Sequence, residues 1–270
     1  MGQDPLERVR QAVDAASAAE AERYHAIADA VEQGHSKAAV GRAAGVTGQR
    51  VAQILQKGPA PGPEAPFWGA SDGMLTIAVG EKTEAQKEAA GPLGPVVTVE
   101  AREAYDILRA LAEGAGLSAG YESIPPSTGF VKLNRDGLVV ICGPRLSPHI
   151  AEIVESDPSL TFTKDSCGWY LIDREKGDRE WRSPMDDGEM CDVGYLGRLP
   201  RPDGRGTFLY VGGIHAAGTS GVAHYLAGNL PELWAKVRTS RFSALIRCTL
   251  TPDRRVQTSE LVAGPYMHER

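Results

Sequence analysis

A stretch rich in proline and glycine, GPAPGPEAPFWGASDG, separates two parts of the chain with different secondary-structure patterns. Proline and glycine do not propagate a helix, so this stretch predicts a linker, which we place at residues 59–73. The part before it is rich in Ala, Glu, Arg and Gln and has apolar residues at helical spacing, such as Tyr24, Ile27 and Val31. The pattern predicts two domains: an all-α domain at residues 1–58 and a second domain at residues 74–270.

In the second domain, short β-branched runs alternate with helical stretches. The strand-like runs are MLTIAV (74–79), GLVVIC (137–142), GTFLYV (206–211) and FSALIRC (242–248). The helical stretches are residues 98–114, 147–156 and 219–239. Such alternation is typical of a three-layer, Rossmann-like α/β domain with a partly parallel sheet. Residues 168–184 and 195–211 each place a glycine-containing turn between strand-like runs, which predicts antiparallel additions to that sheet.

Composition narrows the classes of protein to consider. The 270-residue chain has a formal net charge of -6, which argues against a surface wholly devoted to nucleic acid but allows a local basic patch. Its four cysteines are widely spaced, without a C-x-x-C pair, so we expect neither a disulfide framework nor a metal site. No run of 18 or more apolar residues occurs. We therefore expect a cytoplasmic protein with no membrane partner and no cofactor.

The segment KAAVGRAAGVTGQRVAQILQ, residues 37–56, has the spacing of two helices joined by a tight turn. Gly41 stands where two such helices approach closely, and Gly45 stands where the turn needs a positive φ. We expect the contacts between the two helices to be formed by Val40, Ala44, Val46, Val51 and Ile54. The segment resembles the helix-turn-helix of bacterial transcription regulators, with Thr47 as the cap of the second helix. Gly41 departs from the alanine that is usual in this family.

This resemblance implies that the helical domain binds double-stranded DNA. With Thr47 as the cap, Gln49, Arg50 and Gln53 lie on the exposed face of the recognition helix, where arginine suits guanine and glutamine suits adenine. Residues 33–58 contain no acidic side chain, so positive charge collects where phosphates would lie. The predicted DNA-binding residues are Lys37, Arg42, Thr47, Gln49, Arg50, Gln53 and Lys57. Because one such unit binds DNA weakly, we expect a homodimer or a higher homo-oligomer. An alternative is a three-helix unit that contacts other proteins.

Two strand-to-helix loops of the second domain combine glycines with a hydroxyl residue. In YVGGIHAAGTSGVAHYL (210–226), we expect Gly218-Thr219-Ser220 to begin a helix; in ICGPRLSPHIAEIV (141–154), Ser147 caps one. Free N–H groups at helix starts attract anions, and parallel strands bring both loops to one crevice. The predicted ligand-binding residues are Gly143, Pro144, Arg145, Ser147, Gly212, Gly213, His215, Gly218, Thr219 and Ser220.

The GG-x-x-x-x-GT arrangement resembles the nucleotide-binding loop of the LOG and Smf/DprA-like Rossmannoid superfamily, which contains enzymes that act on nucleotides and sensors of nucleotide-derived signals. The resemblance implies a small anionic ligand, with nucleotides among the candidates. The helix continues SGVAHYL without the acidic residue expected there, which favours binding over cleavage of a glycosidic bond. An alternative is that the glycines serve only the tight packing of strand against helix.

His215 has no carboxylate or nucleophile at a readable spacing, so we interpret it as a ligand contact and predict no catalytic residue. Asp186, Asp187 and Glu189 read as a solvated turn. The preferred function is a DNA-binding transcription regulator whose α/β domain senses a small anionic ligand. The alternative is a nucleotide-processing enzyme, of the glycosidic-bond hydrolase or deoxyribosyltransferase type, with a helical domain that localises it to DNA. A third interpretation is a second domain that binds no ligand and serves interactions.

Overall fold

Three helices form the N-terminal part of the computed structural model, which describes residues 4–57, 62–84 and 94–268 and leaves the side chain of Lys57 outside. They are α1 (Pro5–Glu32), α2 (Lys37–Ala43) and α3 (Gly48–Lys57). Ile27, Val40 and Val51 form their small buried core. Since this core contains one residue from each helix, the three helices pack as one unit, called the head below.

Two glycines shape the turn between α2 and α3. Gly45 has φ +69°, which L side chains rarely adopt. A Cβ atom at Gly41 would lie 2.7 Å from the carbonyl oxygen of Val46. The Oγ1 atom of Thr47 accepts a hydrogen bond from the backbone N–H of Arg50 at 3.1 Å and so caps α3. The turn at Gly45, the close approach at Gly41 and the cap at Thr47 are therefore confirmed.

Part of the predicted linker is instead a buried piece of the α/β domain. Residues Ala65–Trp68 form a short 3₁₀ helix, and the Phe67 and Trp68 side chains are buried in the core of that domain. The buried Arg198 guanidinium donates a hydrogen bond to the carbonyl oxygen of Phe67 at 2.5 Å. The proline and glycine pattern identified the change in secondary-structure pattern. It did not predict that two aromatic side chains anchor this segment in the core of the α/β domain.

The α/β domain contains twelve strands and three further helices in its described residues. The strands are β1 (Met74–Gly80), β2 (Lys82–Thr83), β3 (Pro95–Val96), β4 (Ser118–Ile124), β5 (Leu138–Ile141), β6 (Leu160–Asp165), β7 (Gly168–Asp173), β8 (Arg179–Trp181), β9 (Cys191–Pro200), β10 (Thr207–Gly213), β11 (Phe242–Leu250) and β12 (Val256–Met267). The helices are α4 (Val99–Gly114), α5 (Pro148–Glu155) and α6 (Ala216–Val237).

Seven of these strands form a mixed sheet in the order β12-β11-β9-β10-β5-β1-β4. The strands β4, β1, β5 and β10 are parallel, whereas β9 is antiparallel to β10 and to β11, and β12 is antiparallel to β11. The predicted α/β class with a partly parallel sheet is confirmed. Of the two predicted hairpins, β9–β10 belongs to this sheet as expected, whereas β7–β8 belongs to a separate three-stranded sheet, β6-β7-β8.

Helices and a small second sheet cover the two faces of this sheet. Apolar side chains of α4 and α6, such as Leu108 and Leu226, pack with Ile77 and Val211 on one face. On the other face, α5 and the antiparallel sheet β6-β7-β8 cover residues such as Val140 and Tyr210. No helix in the described part of the chain is both long and apolar enough to cross a membrane.

The start of α6 differs from the prediction. The helix begins at Ala216, with His215 as its N-cap residue, instead of at Gly218-Thr219-Ser220. Thr219 and Ser220 therefore lie inside the helix, and the Oγ atom of Ser220 donates to the carbonyl oxygen of Ala217 at 3.0 Å. Ser147, by contrast, caps α5 as expected, accepting from the N–H of Ile150 at 3.4 Å.

Candidate functional site

A narrow crevice lies at the carboxyl ends of the parallel strands β1, β5 and β10. Its walls come from Gly80 at the end of β1, the Cys142–Leu146 loop after β5 and the Gly213–Ala216 segment that joins β10 to α6. The strand order changes direction here, because the chain leaves β1 for β4 on one side and returns as β5 on the other. Open α/β sheets bind ligands at such a switch point.

Two cationic side chains face this crevice. Lys82 follows β1, and Arg145 comes from the loop after β5. Neither forms an ion pair with any residue in 4–57, 62–84 or 94–268. Burial lowers the pKa of Lys82, the nearby Arg145 charge lowers it further, and Glu100 partly offsets both. Two cations that repel each other in a crevice provide a favourable site for an anion.

Helix starts and aromatic rings complete the walls. Thr98 lines the crevice and caps α4, its Oγ1 atom accepting from the N–H of Ala101 at 3.2 Å. Phe162 and Trp169, from the hairpin β6–β7, line the other side. With a cavity volume of about 40 Å³, the crevice is much narrower than a typical small-molecule pocket.

A buried carboxylate from β9 already occupies the start of α6. The Oδ2 atom of Asp192 accepts hydrogen bonds from the backbone N–H groups of His215 at 3.1 Å and Gly218 at 2.6 Å. Burial raises the pKa of this carboxyl, and its hydrogen bonds and the His215 charge oppose that rise. Asp192 satisfies two of the four N–H groups that a helix start leaves without a partner in the helix.

His215 has a carboxylate neighbour that the sequence did not reveal. Its Nε2 atom lies 2.8 Å from the Oδ1 atom of Asp186, which belongs to a short 3₁₀ helix, Pro184–Asp187. Both side chains remain partly exposed. The pair is the arrangement by which a carboxylate orients an imidazole for proton exchange. Asp186, Asp187 and Glu189 are exposed at this turn, as predicted, but the contact of Asp186 with His215 was not predicted.

The predicted ligand-binding residues divide into two groups. Six line the crevice: Gly143, Pro144, Arg145, Gly213, His215 and Thr219. Four others are not among the residues that line it: Ser147, Gly212, Gly218 and Ser220. The capping bond of Ser147 and the inward bond of Ser220 account for those two. A Cβ atom at Gly218 would lie 2.4 Å from the carbonyl oxygen of Val193, so this glycine serves close packing.

Close packing also explains Gly212 and Gly213. A Cβ atom at Gly213 would lie 2.1 Å from the carbonyl oxygen of His215, and one at Gly212 would lie 2.4 Å from the hydroxyl oxygen of Tyr210. The packing role that was the alternative explanation for these glycines therefore applies, and Gly213 both packs and lines the crevice. Gly143 differs, because a Cβ atom there would meet no atom closer than 3.9 Å.

Sequence reasoning missed several residues at this site, namely Lys82, Thr98, Phe162, Trp169, Asp186 as a partner of His215, and Asp192. Lys82 was detectable, because it lies three residues beyond the end of the predicted strand 74–79, in a region where ligand contacts concentrate. Cys142 also lines the crevice, but burial raises the pKa of its thiol to about 12, which makes it a poor nucleophile. No three His, Cys, Asp or Glu side chains of the described ranges are grouped to hold a metal ion.

The second candidate surface is the outer face of α3. Gln49, Arg50 and Gln53 are exposed there, and Arg50 donates a hydrogen bond to the Oε1 atom of Gln53 at 3.2 Å. Lys37 and Arg42 on α2 and the cap Thr47 are exposed as well. The structure brings these six predicted residues together in the small unit formed by α2 and α3, whereas the side chain of Lys57 lies outside the described residues.

No protein-family model matches the chain, and no curated protein or solved structure is detectably similar to it.

Proposed function

We propose that this chain is a DNA-binding transcription regulator in which α3 reads the DNA and the crevice of the α/β domain binds a small anionic, nucleotide-like ligand. The observation that carries the proposal is the exposed face of α3: a capped helix, held against α2 by a tight glycine turn, that presents arginine and glutamine side chains. Side chains of this type at a helix start suit the edges of bases in the major groove.

Charge supports DNA binding by this face. The whole chain is acidic, but residues 33–58 contain only basic charged side chains. Phosphate contacts supply much of the affinity of a protein for DNA and are sensitive to salt, so Lys37 and Arg42 are expected to hold the backbone while Arg50 reads bases.

The DNA-binding test uses a duplex selected from a random library with the full chain. Arg50→Ala should reduce discrimination between the selected duplex and random duplex by about 1–3 kcal/mol if it contacts a base in two places. Arg42→Ala should weaken binding to both duplexes alike and lower the slope of affinity against salt. Arg109→Ala, an exposed arginine of α4 on the α/β domain, is the control and should change neither quantity. Fluorescence anisotropy that finds no duplex binding at low salt would refute the proposal.

Two features of the crevice support an anionic ligand with a planar ring. Lys82 and Arg145 provide positive charge and form no ion pair with the residues that the structure describes, and Phe162 and Trp169 provide aromatic surface on which a base can stack. Because Asp192 occupies the start of α6, the phosphate is expected nearer to Arg145 and the open Gly143 loop than to that helix. Because the cavity is small, its walls must separate for a whole nucleotide to enter.

Calorimetry with nucleotides, dinucleotides and their cyclic forms tests this site. Lys82→Gln and Arg145→Gln should each weaken the binding of an active compound by roughly 10- to 100-fold, since a charge-assisted hydrogen bond contributes about 1.5–3 kcal/mol. Lys132→Gln, an exposed lysine outside the crevice, is the control. In a sensor, the ligand should also change DNA affinity, because it shifts an equilibrium between two states. If all variants bind an active compound as tightly as wild type, the crevice is not the binding site.

A nucleotide-processing enzyme is the second candidate, and the contact between His215 and Asp186 is what favours it. With the Nε2 proton directed at Asp186, the Nδ1 atom would be free to exchange a proton with a bound nucleotide. Chromatography of nucleotides after incubation with the protein tests this. If wild type releases free base and His215→Gln does not, although it still binds the nucleotide, the enzyme replaces the sensor as the best description.

A further inference from the structure

The first half of α1 carries an exposed apolar stripe. Leu6, Val9 and Val13 are 64%, 59% and 59% exposed, respectively. They lie three and four residues apart, so they share one face of the helix. Only the second half of α1 contributes to the core of the head, through Ile27. Large apolar side chains grouped on one exposed helix face indicate a surface that another molecule covers.

The head carries an apolar groove of matching character. It runs between the second half of α1 and α2 and has a cavity volume of about 560 Å³. The groove is lined by Arg23, Ala26, Ile27, Ala30, His35, Ala39, Val40, Ala43 and Ala44. Five of these nine side chains are alanines. Because they are short, the groove has room for larger apolar side chains of another molecule.

The stripe of one chain is not able to fill the groove of the same chain. Both belong to α1, a single helix of 28 residues. At 1.5 Å per residue, Val9 and Ile27 are separated by about 27 Å along the axis. We propose that two copies of the chain pair through antiparallel α1 helices, so that the stripe of each copy lies in the groove of the other.

The residue pattern of α1 fits this pairing in register. Leu6, Val9, Val13, Ala16, Glu20, Arg23, Ile27 and Ala30 follow each other at alternating intervals of three and four residues. This is the a and d spacing of a coiled coil. In an antiparallel pair centred on residue 18, the stripe residues meet the groove residues of the partner, with Leu6 opposite Ala30, Val9 opposite Ile27, and Val13 opposite Arg23.

The centre of the helix permits the close approach that this pairing needs. Ala15, Ala16, Ala18 and Ala19 are small and exposed. Alanines let two helix backbones come close. Glu20 is the one acidic residue on the line of the stripe, and it falls opposite the short Ala16, where its carboxylate reaches solvent. This pairing concerns the association of two copies, so it stands whether or not the head binds DNA.

The test uses two variants of the full chain, each with one introduced charge. Analytical ultracentrifugation measures the dimerisation of each variant alone and of a mixture of the two. Val9→Glu alters the stripe near a helix start, and Ala26→Lys alters the groove four residues after Glu22, so both changes are compatible with the isolated helix. Each variant alone should raise the dimer dissociation constant at least about tenfold, because a charge would enter an apolar contact. Mixing the two should restore a dimer, since one contact is then native and the other brings the introduced carboxylate close to the introduced ammonium group.

Met74→Glu is the matched control, because Met74 is a similarly exposed apolar residue, 57% exposed, on the α/β domain; this variant should dimerise like wild type. Circular dichroism of each variant checks that the helices remain. A monomeric wild type, or single variants that still dimerise, would overturn the proposal.

Disulfide trapping tests the antiparallel orientation separately. In a Cys167→Ser background, which removes the exposed native cysteine, a mixture of Val13→Cys and Arg23→Cys chains should cross-link. Each variant alone should not, because residues 13 and 13 of two antiparallel helices lie about 15 Å apart along the axis. Efficient cross-linking of Val13→Cys with itself would indicate a parallel pair and contradict the proposed arrangement.

Discussion

At the scale of single residues, Asp192 has the largest structural consequence in the candidate site. It is fully buried, and its carboxylate holds two N–H groups at the start of α6. Removing the Asp192 carboxylate would be costly, because the two buried N–H groups would lose their acceptor and could not bind water instead. Asp192 thus fixes the loop that carries His215 and Gly213 into the crevice.

The raised pKa of Asp192 predicts a specific dependence of stability on pH. In the unfolded chain this carboxyl has a pKa of about 3.9. Between that value and the higher folded pKa, the folded protein holds a proton that the unfolded chain lacks, so the free energy of unfolding falls as pH rises. Asp192→Asn lacks this contribution. The free energy of unfolding of Asp192→Asn minus that of wild type should therefore increase with pH through this window, as measured by urea denaturation.

Asp136 provides a control of the opposite sign. The hydrogen bond from Ser71, with a further contribution from Arg201, lowers the pKa of Asp136. Its contribution to stability is present above the unfolded pKa and is lost as pH falls through the folded pKa. Asp136→Asn should therefore differ from wild type least at acid pH. If both variants follow the same trend with pH, the explanation given for Asp192 is wrong.

At the scale of elements, α6 contains two glycines with opposite surroundings. Gly221 faces β11, and a Cβ atom there would lie 2.5 Å from the Sγ atom of Cys248. Gly228 lies on the exposed side, where a Cβ atom would meet nothing within 4 Å. The same helix thus allows packing and intrinsic helix propensity to be separated.

Replacing each of these glycines by alanine should move stability in opposite directions. Gly228→Ala should raise the free energy of unfolding by about 0.5–1 kcal/mol, because alanine loses less backbone entropy in a helix. Gly221→Ala should lower it by roughly 1–3 kcal/mol, because the added methyl group overfills the contact with Cys248. Chemical denaturation of both variants measures the difference. Stabilisation by Gly221→Ala would mean that α6 shifts away from β11 at little cost.

At the scale of the whole molecule, the head and the α/β domain have separate hydrophobic cores. The core of the head shares no residue with the two large clusters of the α/β sheet. Among the described residues, an ion pair joins the two units, Arg238 to Asp14 at 2.8 Å, with both side chains partly exposed. Such a partly exposed pair contributes at most about 1 kcal/mol.

Separate cores predict two unfolding transitions for the full chain. The head, with three buried apolar side chains, should unfold before the α/β domain in differential scanning calorimetry. Val51→Ala should move only the first transition, by removing a buried side chain of the head. Ile77→Ala should move only the second. A single transition that responds to both substitutions would show that the two units unfold as one.

The sequence alone determined the features whose causes lie within a few residues. The turn between α2 and α3 follows from Gly41, Gly45 and Thr47, which act within one short segment. The predicted strands and the cap at Ser147 are likewise local, since the Ser147 hydroxyl meets an N–H group three residues away. Local patterns of this kind were sufficient to predict the α/β class and the location of the crevice. Strands β4, β6 and β12 were not predicted; in β4, for example, the SAGYESI sequence has no alternating apolar pattern.

Only the tertiary structure decided the chemistry of the site. The start of α6 was misplaced because its capping carboxylate comes from Asp192, 26 residues before Gly218 in the chain. The partner of His215, Asp186, lies 29 residues away and reaches it through a separate short helix. Lys82 and Arg145 meet because β1 and β5 are neighbours in the sheet. The spacing of residues in the sequence does not reveal such pairs, because the order of the strands that brings them together is set by the packing of the whole domain.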